Sequence, residues 1–288
     1  MSGNRSDPLD AAVALYLDDW VYGAGGRLSV MASGEGAAAV SVVRLRGIDP
    51  SATAYEDTEI RPSVEVDLHV QRPSRGSFAA TDSDLIVSGA WRWRLTLFPT
   101  VADRGGVLEW GPQVAIGVSN GRLVATLPGA RLEASIDVQA WSDVELAQDA
   151  GGAARLSVTP VGADARYRRA SHSAASGRAC ATQGGALRIG FGFNGKIGGP
   201  TLWEGDGLVA FWNLSEGMTT QTVPGRGPRA TPLKLAQAPR RAVAGALWTG
   251  AAHDWRTRPD HYDAIHFHDD DIADCNWTST LALTLPQD

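Results

Sequence analysis

The chain has two cysteines among 288 residues, Cys180 and Cys275, and they do not form a CxxC pair. Two cysteines are too few for a disulfide framework, so we expect reduced thiols, with a single bridge as the alternative. The chain also lacks a basic surplus: its formal charge is −6. Because no aromatic-plus-basic motif is present either, these features argue against nucleic acid as a partner.

The amino-terminal segment lacks a long apolar run, because Asp18 and Asp19 interrupt it. We therefore predict neither a signal peptide nor a membrane span, and a cytoplasmic location. GxSxG occurs once, at residues 117–121, where it overlaps an Asn-Gly turn signal between two strand-like runs rather than a strand-to-helix turn. The sequence contains no P-loop, and "GFGFNG" (residues 190–195) has the GxGxxG spacing but no following helix. A serine hydrolase of that type and a nucleotide-binding protein are therefore disfavoured.

Strand signals dominate the chain, and helix signals are nearly absent. In "AWRWRLTLFPT", Trp91 and Trp93 alternate with Arg92 and Arg94, which predicts a strand with one apolar face. "QVAIGVSNGRLVATLP" has two apolar runs around residues 120–121, Asn-Gly, a strong signal for a hairpin. Short runs of this kind recur about every ten residues, which indicates an all-β sandwich or barrel.

The stretch "ALRIGFGFNG" predicts a strand with Phe191 and Phe193 on one face and Gly190 and Gly192 on the other. Glycines at such positions indicate close approach of another backbone, a bend or a bulge. The polar segment 166–185 is the best candidate for a long surface loop.

The segment 72–84, rich in Ser, Pro and Gly, is the predicted domain boundary. We expect a small immunoglobulin-like β-sandwich over residues 1–80 and a larger antiparallel sandwich over 85–280. Residues 281–288 are expected to form a truncated linker strand that leads out of the sandwich toward a further domain.

The segment "HYDAIHFHDDDIADCNW", residues 261–277, concentrates three of the six histidines and five aspartates. As a strand it would place Ile265 and Phe267 on one face and two histidines on the other. Three hypotheses follow: a metal site, a catalytic histidine beside a carboxylate, or a turn whose carboxylates accept backbone N–H bonds. The candidate residues are His266, His268, Asp269, Asp270, Asp271, Asp274 and Cys275, with His266, His268 and Asp270 as the weak metal candidates.

The ten tryptophans allow a carbohydrate-binding hypothesis, because aromatic faces stack on sugars. Trp91, Trp93, Trp203 and Trp212 lie in strand-like runs, however, where core packing is the more frequent use. We therefore predict these four in the core.

The last third of the chain resembles a known family. "FNGKIGGPTLW", "LVAFWNLSEGMTTQTVPGRGP" and "ALWTGAAHDWRTRPDHYDAIHFHDDDIADCNWTSTLALTLP" are similar to the N-terminal half of the large (β) subunit of N,N-dimethylformamidase and its homologues. The resemblance is most specific over residues 261–277 and departs at Ala273, where the family usually has an aromatic residue, and at Asn276, where it usually has glycine. Residues 85–200 resemble the family's laminin-G-like, concanavalin A-like sandwich.

The resemblance implies a non-catalytic β-rich region that precedes a catalytic domain in which two tyrosines and a glutamate hold iron and a formamide C–N bond is hydrolysed. This chain's tyrosines lie in the wrong regions for those ligands, so we expect no cofactor in this chain and no complete active site. The predicted role is structural, with a small α-type subunit or a catalytic domain as partner, in an oligomer. The alternatives are a carbohydrate-binding concanavalin A-like module and a metal-dependent amide hydrolase using His266, His268 and the aspartates.

Overall fold

The computed structural model describes residues 13–45, 57–178 and 182–287; Cys180 and Tyr55 lie outside this part. The described residues are almost entirely β, which confirms the predicted fold class, and their helical segments are single 3-10 turns at Ala165–Tyr167 and Pro259–Tyr262. No helix in these ranges is long and apolar enough to cross a membrane. The described strands are β1 Val13–Leu17, β2 Arg27–Gly34, β3 Gly36–Leu45, β4 Asp57–Leu68, β5 Phe78–Val87, β6 Trp91–Pro99, β7 Arg104–Trp110, β8 Val114–Ser119, β9 Arg122–Leu127, β10 Ala130–Ser135, β11 Ser142–Gln148, β12 Ala153–Pro160, β13 Ser171–Ser176, β14 Gln183–Ile189, β15 Gly195–Glu204, β16 Gly207–Trp212, β17 Thr222–Val223, β18 Gly225–Arg226, β19 Leu233–Ala236, β20 Arg240–Val243, β21 Ala264–Phe267 and β22 Leu281–Thr284.

The chain divides into two compact units. Unit 1 comprises Met1–Ser74 with Asp274–Asp288, and unit 2 is Arg75–Ala273. Unit 1 has a three-stranded antiparallel sheet, β1-β2-β22, and a two-stranded sheet, β3-β4. Residues of both sheets, including Leu28, Val30 and Leu68, share one small core.

The end of the chain differs from the expected linker strand. β22 pairs antiparallel with β2, with Leu283 opposite Leu28, and Leu283 is buried. Its alternating leucines therefore complete the small core rather than leave it. The first unit is consequently discontinuous in sequence, while the other boundary, after Ser74, falls inside the predicted segment 72–84.

Unit 2 is a large antiparallel sandwich. One sheet has the order β10-β9-β8-β7-β14-β5-β19-β17. The other has the order β13-β12-β11-β6-β15-β16-β18, with β21 beside β15 and β20 beside β21. Buried residues from both sheets form one continuous apolar core between them.

Three tryptophans join the two sheets. Trp93 of β6 packs edge-on against Trp110 of β7, with ring centroids 5.7 Å apart, and stacks with Trp212 of β16 at 6.4 Å. All three rings are fully buried. The indole N–H groups of Trp110 and Trp212 donate to the carbonyls of Leu85 and Thr231. Since buried aromatic rings contribute large apolar areas, this cluster is the centre of the larger core.

The predicted hairpin and the predicted strand through residues 191–193 have different outcomes. The hairpin is confirmed: β8 and β9 are joined by Asn120 and Gly121, with φ of 50° and 71°. The extended strand through residues 191–193 is wrong, because Gly190 adopts φ 82° directly after β14 ends. Phe193 is buried as expected, but Phe191 is 42% exposed.

The predicted surface loop 166–185 is only partly a loop. Residues Ser171–Ser176 form the edge strand β13, which pairs with β12. Its burial alternates between partly buried and exposed positions, and its small polar residues gave no apolar signal. The sequence pattern therefore missed an edge strand whose pairing is set by its neighbour.

Replacing Trp93 tests the role of the tryptophan cluster. Trp93→Ala is expected to lower the free energy of unfolding by about 3–5 kcal/mol, because a large buried side chain leaves a cavity between the sheets. The measurement is urea denaturation followed by far-UV circular dichroism. Trp203→Ala, on the outer face of the neighbouring strand β15, is the control. It should lower the free energy of unfolding far less. Equal losses for the two variants would contradict the assignment of Trp93 to the structural centre.

Candidate functional site

The histidine-aspartate segment begins on strand β21. This strand follows the 3-10 turn Pro259–Tyr262 and lies between β15 and β20. Ile265 and Phe267 are fully buried, whereas His266 is on the opposite, outer face of the sheet. The predicted alternation is therefore confirmed over these residues.

His266 lies among cationic neighbours. Lys196 of β15 and Arg240 of β20 are its register partners, and its ring centroid is 5.6 Å from that of His268. Burial, and then the positive charge of His268, Lys196 and Arg240, lowers the pKa of His266. Its Nε2 is buried and has no hydrogen-bond partner among the described residues. This arrangement favours a neutral imidazole at His266.

Of the three consecutive aspartates, Asp270 and Asp271 have partners for their carboxylates, whereas Asp269 is bonded through its backbone N–H. The Nδ1 of His268 lies 2.6 Å from Oδ1 of Asp270. The N–H of Asp269 donates to Oδ1 of Asn194 at 3.0 Å. The hydroxyl of Ser77 donates to Oδ2 of Asp271 at 2.7 Å. These bonds differ from the expected carboxylate-to-backbone N–H pattern, although the residues do form a turn directly after the strand.

Ser77 fixes the turn and is a residue that sequence reasoning missed. It is fully buried, its N–H donates to the carbonyl of His268 at 2.8 Å, and its Oγ accepts from the N–H of His268 at 3.0 Å. The N–H of Gly76 donates to the carbonyl of Asp271 at 2.9 Å. Nothing near Ser77 in the sequence signals this role, because its partners are almost two hundred positions away.

One part of the predicted metal set is compact. The ligand atoms of His268, Asp269 and Asp270 all lie within 4.8 Å of one another. His266 is not part of that group. The side chains of Asp269 and Asp270 are 54% and 75% exposed, so water can solvate both carboxylates without a cation. Metal binding therefore stays a prediction.

Asp274 and Cys275 belong to unit 1 rather than unit 2. The hydroxyl of Tyr16 donates to Oδ1 of Asp274 at 2.7 Å, and the carbonyl of Cys275 accepts from the N–H of Ser74. Asn276 adopts φ 55°, in the left-handed region that glycine favours and asparagine tolerates. Asparagine therefore suffices at this position, and glycine could adopt the same backbone conformation.

The described tyrosines do not fit an iron site of two tyrosines and a glutamate. The hydroxyls of Tyr16, Tyr22 and Tyr262 donate to Asp274, Asp18 and the carbonyl of Ala252, respectively. Tyr167 is 75% exposed under the guanidinium of Arg166. Each hydroxyl of the first three is thus occupied by another acceptor, and we derive no iron chemistry from them.

Asp263, just before β21, is a further ionisable residue of the segment. It is partly buried, its Oδ1 has no hydrogen-bond partner in the described part of the chain, and burial raises its pKa. The neighbouring His261 is 5% exposed, with Nε2 2.7 Å from the Arg258 guanidinium. Sequence patterns gave no sign that either side chain is buried.

Asp263 lines a cavity of about 470 Å³ on the outer face of the nine-stranded sheet. Trp203 and Phe211 supply aromatic surface there, and Thr96 and Asp143 supply polar groups. Asp143 accepts a hydrogen bond from the Nε of Arg94 at 2.8 Å. The cavity therefore combines aromatic walls with carboxylates and a hydroxyl, a composition typical of small-molecule sites.

The tryptophan predictions are largely confirmed. Trp91, Trp93 and Trp212 are at most 3% exposed. Trp203 is the exception, because its position in β15 points to the outer face, where the Arg92 guanidinium lies 4.5 Å from its ring centroid.

Comparison with known proteins gives a partial sequence match. No family model matches the chain. Over 120 residues the chain is 28% identical to the N,N-dimethylformamidase beta subunit of Paracoccus aminophilus, an alignment that covers 33% of this chain and 15% of that subunit. The chain therefore spans a small part of this relative's length, and the predicted resemblance is confirmed as a partial sequence similarity.

Solved structures give low similarity scores. A "putative carbohydrate binding protein" from Bacteroides ovatus ATCC 8483 matches with a TM-score of 0.42 and 10% identity, covering 74% of this chain and 68% of that protein. The binding domain of botulinum neurotoxin serotype C1 matches with a TM-score of 0.25 and 9% identity, covering 69% and 42%.

The buried carboxyl of Asp263 predicts a pH effect on stability. A pKa raised in the folded state means that the folded protein retains the Asp263 proton longer than the unfolded chain, so this contribution to stability is present at low pH and is lost as pH rises. Asp263→Asn cannot ionise. Its free energy of unfolding relative to wild type is therefore expected to increase between about pH 4 and pH 7.

Urea denaturation of both proteins at the two pH values measures this difference. Asp206→Asn, in the exposed turn after β15, is the matched control for removing one negative charge. A relative stability of Asp263→Asn that is flat or falls with pH would refute the burial argument.

Proposed function

We propose that the chain is a non-catalytic β-sandwich portion of an amide hydrolase related to the N,N-dimethylformamidase large subunit. The observation that carries the proposal is the 28% identity over 120 residues with a dimethylformamidase beta subunit. The resemblance of residues 261–277, and of the laminin-G-like region before them, supports the same assignment. The proposed role is to support contacts with a catalytic domain and with a small α-type subunit in an oligomer in the cytoplasm.

Two features of the site support a structural role for the histidine-aspartate segment. The carboxylate of Asp271 and the backbone of His268 are bonded to Ser77, which ties the turn to the start of β5. Ile265 and Phe267 anchor the preceding strand in the core. In this proposal the segment stabilises the end of the sandwich, and the chemistry of the family, with its iron, belongs to the catalytic domain.

Metal content and turnover test this assignment against a metal-dependent hydrolase. The purified chain alone is expected to hold substoichiometric iron and zinc by elemental analysis and to leave N,N-dimethylformamide unhydrolysed. Stoichiometric metal together with formamide turnover, both lost in the variant His266→Ala/His268→Ala, would overturn the proposal. The control double variant His172→Ala/His253→Ala removes two exposed histidines elsewhere and should leave metal content unchanged.

The neighbouring coding sequence tests the family part of the proposal. Co-expression with an adjacent polypeptide that carries tyrosine- and glutamate-bearing catalytic sequence is expected to yield a complex that hydrolyses dimethylformamide with iron. Failure of such a polypeptide to associate with the chain would count against a subunit role.

The outer-face cavity favours a carbohydrate-binding module as the second candidate. Trp203 and Phe211 offer aromatic surface for a sugar ring, while Thr96, Asp143 and Asp263 offer hydrogen-bonding groups. A sandwich fold alone does not establish such a function, so the argument depends on these side chains.

Glycan-array binding tests the second candidate. If the cavity binds a glycan, Trp203→Ala is expected to reduce that binding at least about tenfold, because the stacking surface is lost. Trp20→Ala is the control, since Trp20 is 99% exposed and belongs to unit 1. Absence of binding to every glycan, or equal loss in the two variants, would remove this candidate.

A further inference from the structure

Lys196 is an unusual cation on the outer face of unit 2. It is one of two lysines in the chain, and it is partly buried on strand β15. Among the described residues no carboxylate forms an ion pair with its ammonium group. Its register partners across the sheet are Phe98, on β6, and His266, on β21, and Arg240 of β20 lies beyond His266.

Lys196 lines a cavity of about 280 Å³, which we call the Lys196 pocket. Phe98, Trp141 and Trp248 supply its aromatic walls, and Ala140, Ala244 and Ala246 supply small apolar surface. The rings of Phe98 and Trp141 are 5.4 Å apart and tilted by 56°. The volume is just below the usual range for small-molecule sites, which restricts the pocket to a small ligand.

The walls of the pocket are held in place by hydrogen bonds. The Arg168 guanidinium donates to the carbonyls of Trp141 and Val161 at 2.5 and 2.9 Å, and its Nε lies 3.0 Å from Oδ2 of Asp164. The indole N–H of Trp248 donates to the carbonyl of Ala252 at 2.9 Å. Asp164, the one acidic residue among the described residues that line the pocket, is thus already paired with Arg168.

The ammonium of Lys196 lacks the compensation that a buried charge needs. Its Nζ lies 4.7 Å from the ring centroid of Phe98, a cation–π contact that offsets part of the lost hydration. Burial lowers the pKa of Lys196, because the surroundings disfavour its charged form. The nearby Arg240 is a cation and the neutral imidazole of His266 supplies no negative charge, so an anion in the pocket would offset the lost hydration of the ammonium.

We propose that the Lys196 pocket binds a small aromatic carboxylate. The single ammonium matches a monoanion, and the three aromatic side chains match a flat apolar body. A phosphate would find no guanidinium fork and no helix N-terminus among the lining residues. The inference does not rest on the proposed dimethylformamidase relationship, and either can fail alone.

Titration calorimetry with benzoate tests the proposal on the full chain. Benzoate is expected to bind with a dissociation constant of about millimolar, as suits a ligand of this size. Benzamide, its neutral isostere, is expected to bind at least about tenfold more weakly, because it lacks the charge that Lys196 would pair. Equal affinity for the two compounds, or no heat from benzoate, would overturn the proposal.

Two matched variants assign the binding to Lys196. Lys196→Met keeps an unbranched side chain without the charge. It is expected to weaken benzoate binding at least about tenfold and to leave the affinity for benzamide unchanged. Lys234→Met removes the other lysine, which is exposed and paired with Asp82 on the opposite sheet, and should leave both affinities unchanged. Equal weakening by the two variants would refute a specific site.

A measurement on the wild-type side chains covers the case in which Lys196→Met fails to fold. Reductive ¹³C-methylation labels the two lysines and the N-terminal amine, and the lysine signals are expected to be separate and to be assigned by the two lysine variants. Benzoate is expected to shift the Lys196 signal and not that of Lys234. Trp248→Ala, at a 42% exposed position in the pocket wall, should reduce the shift at a given benzoate concentration. An unmoved Lys196 signal would reject the site.

Discussion

The packing of Trp93 between Trp110 and Trp212 is the interaction on which the larger unit depends. It joins two sheets of eight and nine strands at their centre. It also sets which side chains of β6 face the core. Once Trp93 points inward, Arg92 and Arg94 must point outward, because successive side chains of a strand face opposite sides. On β15 the rule is interrupted: Ile197 and Leu202, at positions of opposite parity, are both buried because the register shifts between Gly198 and Thr201.

Much of the fold could be predicted because it is encoded locally. The period-two patterns of β6 and β21 and the Asn-Gly turn each depend on a few adjacent residues, and the structure confirms them. Phe191 was misplaced for a local reason as well: a positive φ at Gly190 ended the strand sooner than alternation alone suggests. Alternation shows which residues share a face only while the backbone stays extended.

The rest depends on pairings between distant segments, which one sequence does not reveal. Ser77 contacts His268 and Asp271 because the start of β5 and the end of β21 lie near each other in the folded chain. The pairing of Lys196 with His266 likewise follows from the β15–β21 register. The sequence placed residues 281–288 outside the sandwiches, since nothing in their leucine pattern shows that β2 has an open edge for them.

The residue types of the histidine-aspartate segment suggest a metal or catalytic site. In the folded chain several of these side chains instead make hydrogen bonds that hold a turn. Like charges in sequence require compensation, and two of the carboxylates obtain it from the Ser77 hydroxyl and from the His268 ring. Neutral donors and water can stabilise these carboxylates without a cation, so metal binding at His268, Asp269 and Asp270 stays a prediction. Lys196 presents the opposite case: this cation, inconspicuous in sequence, is partly buried and has no carboxylate partner within the described part of the chain. The charge that lacks an opposite partner is therefore the ammonium of Lys196, on the strand next to His266.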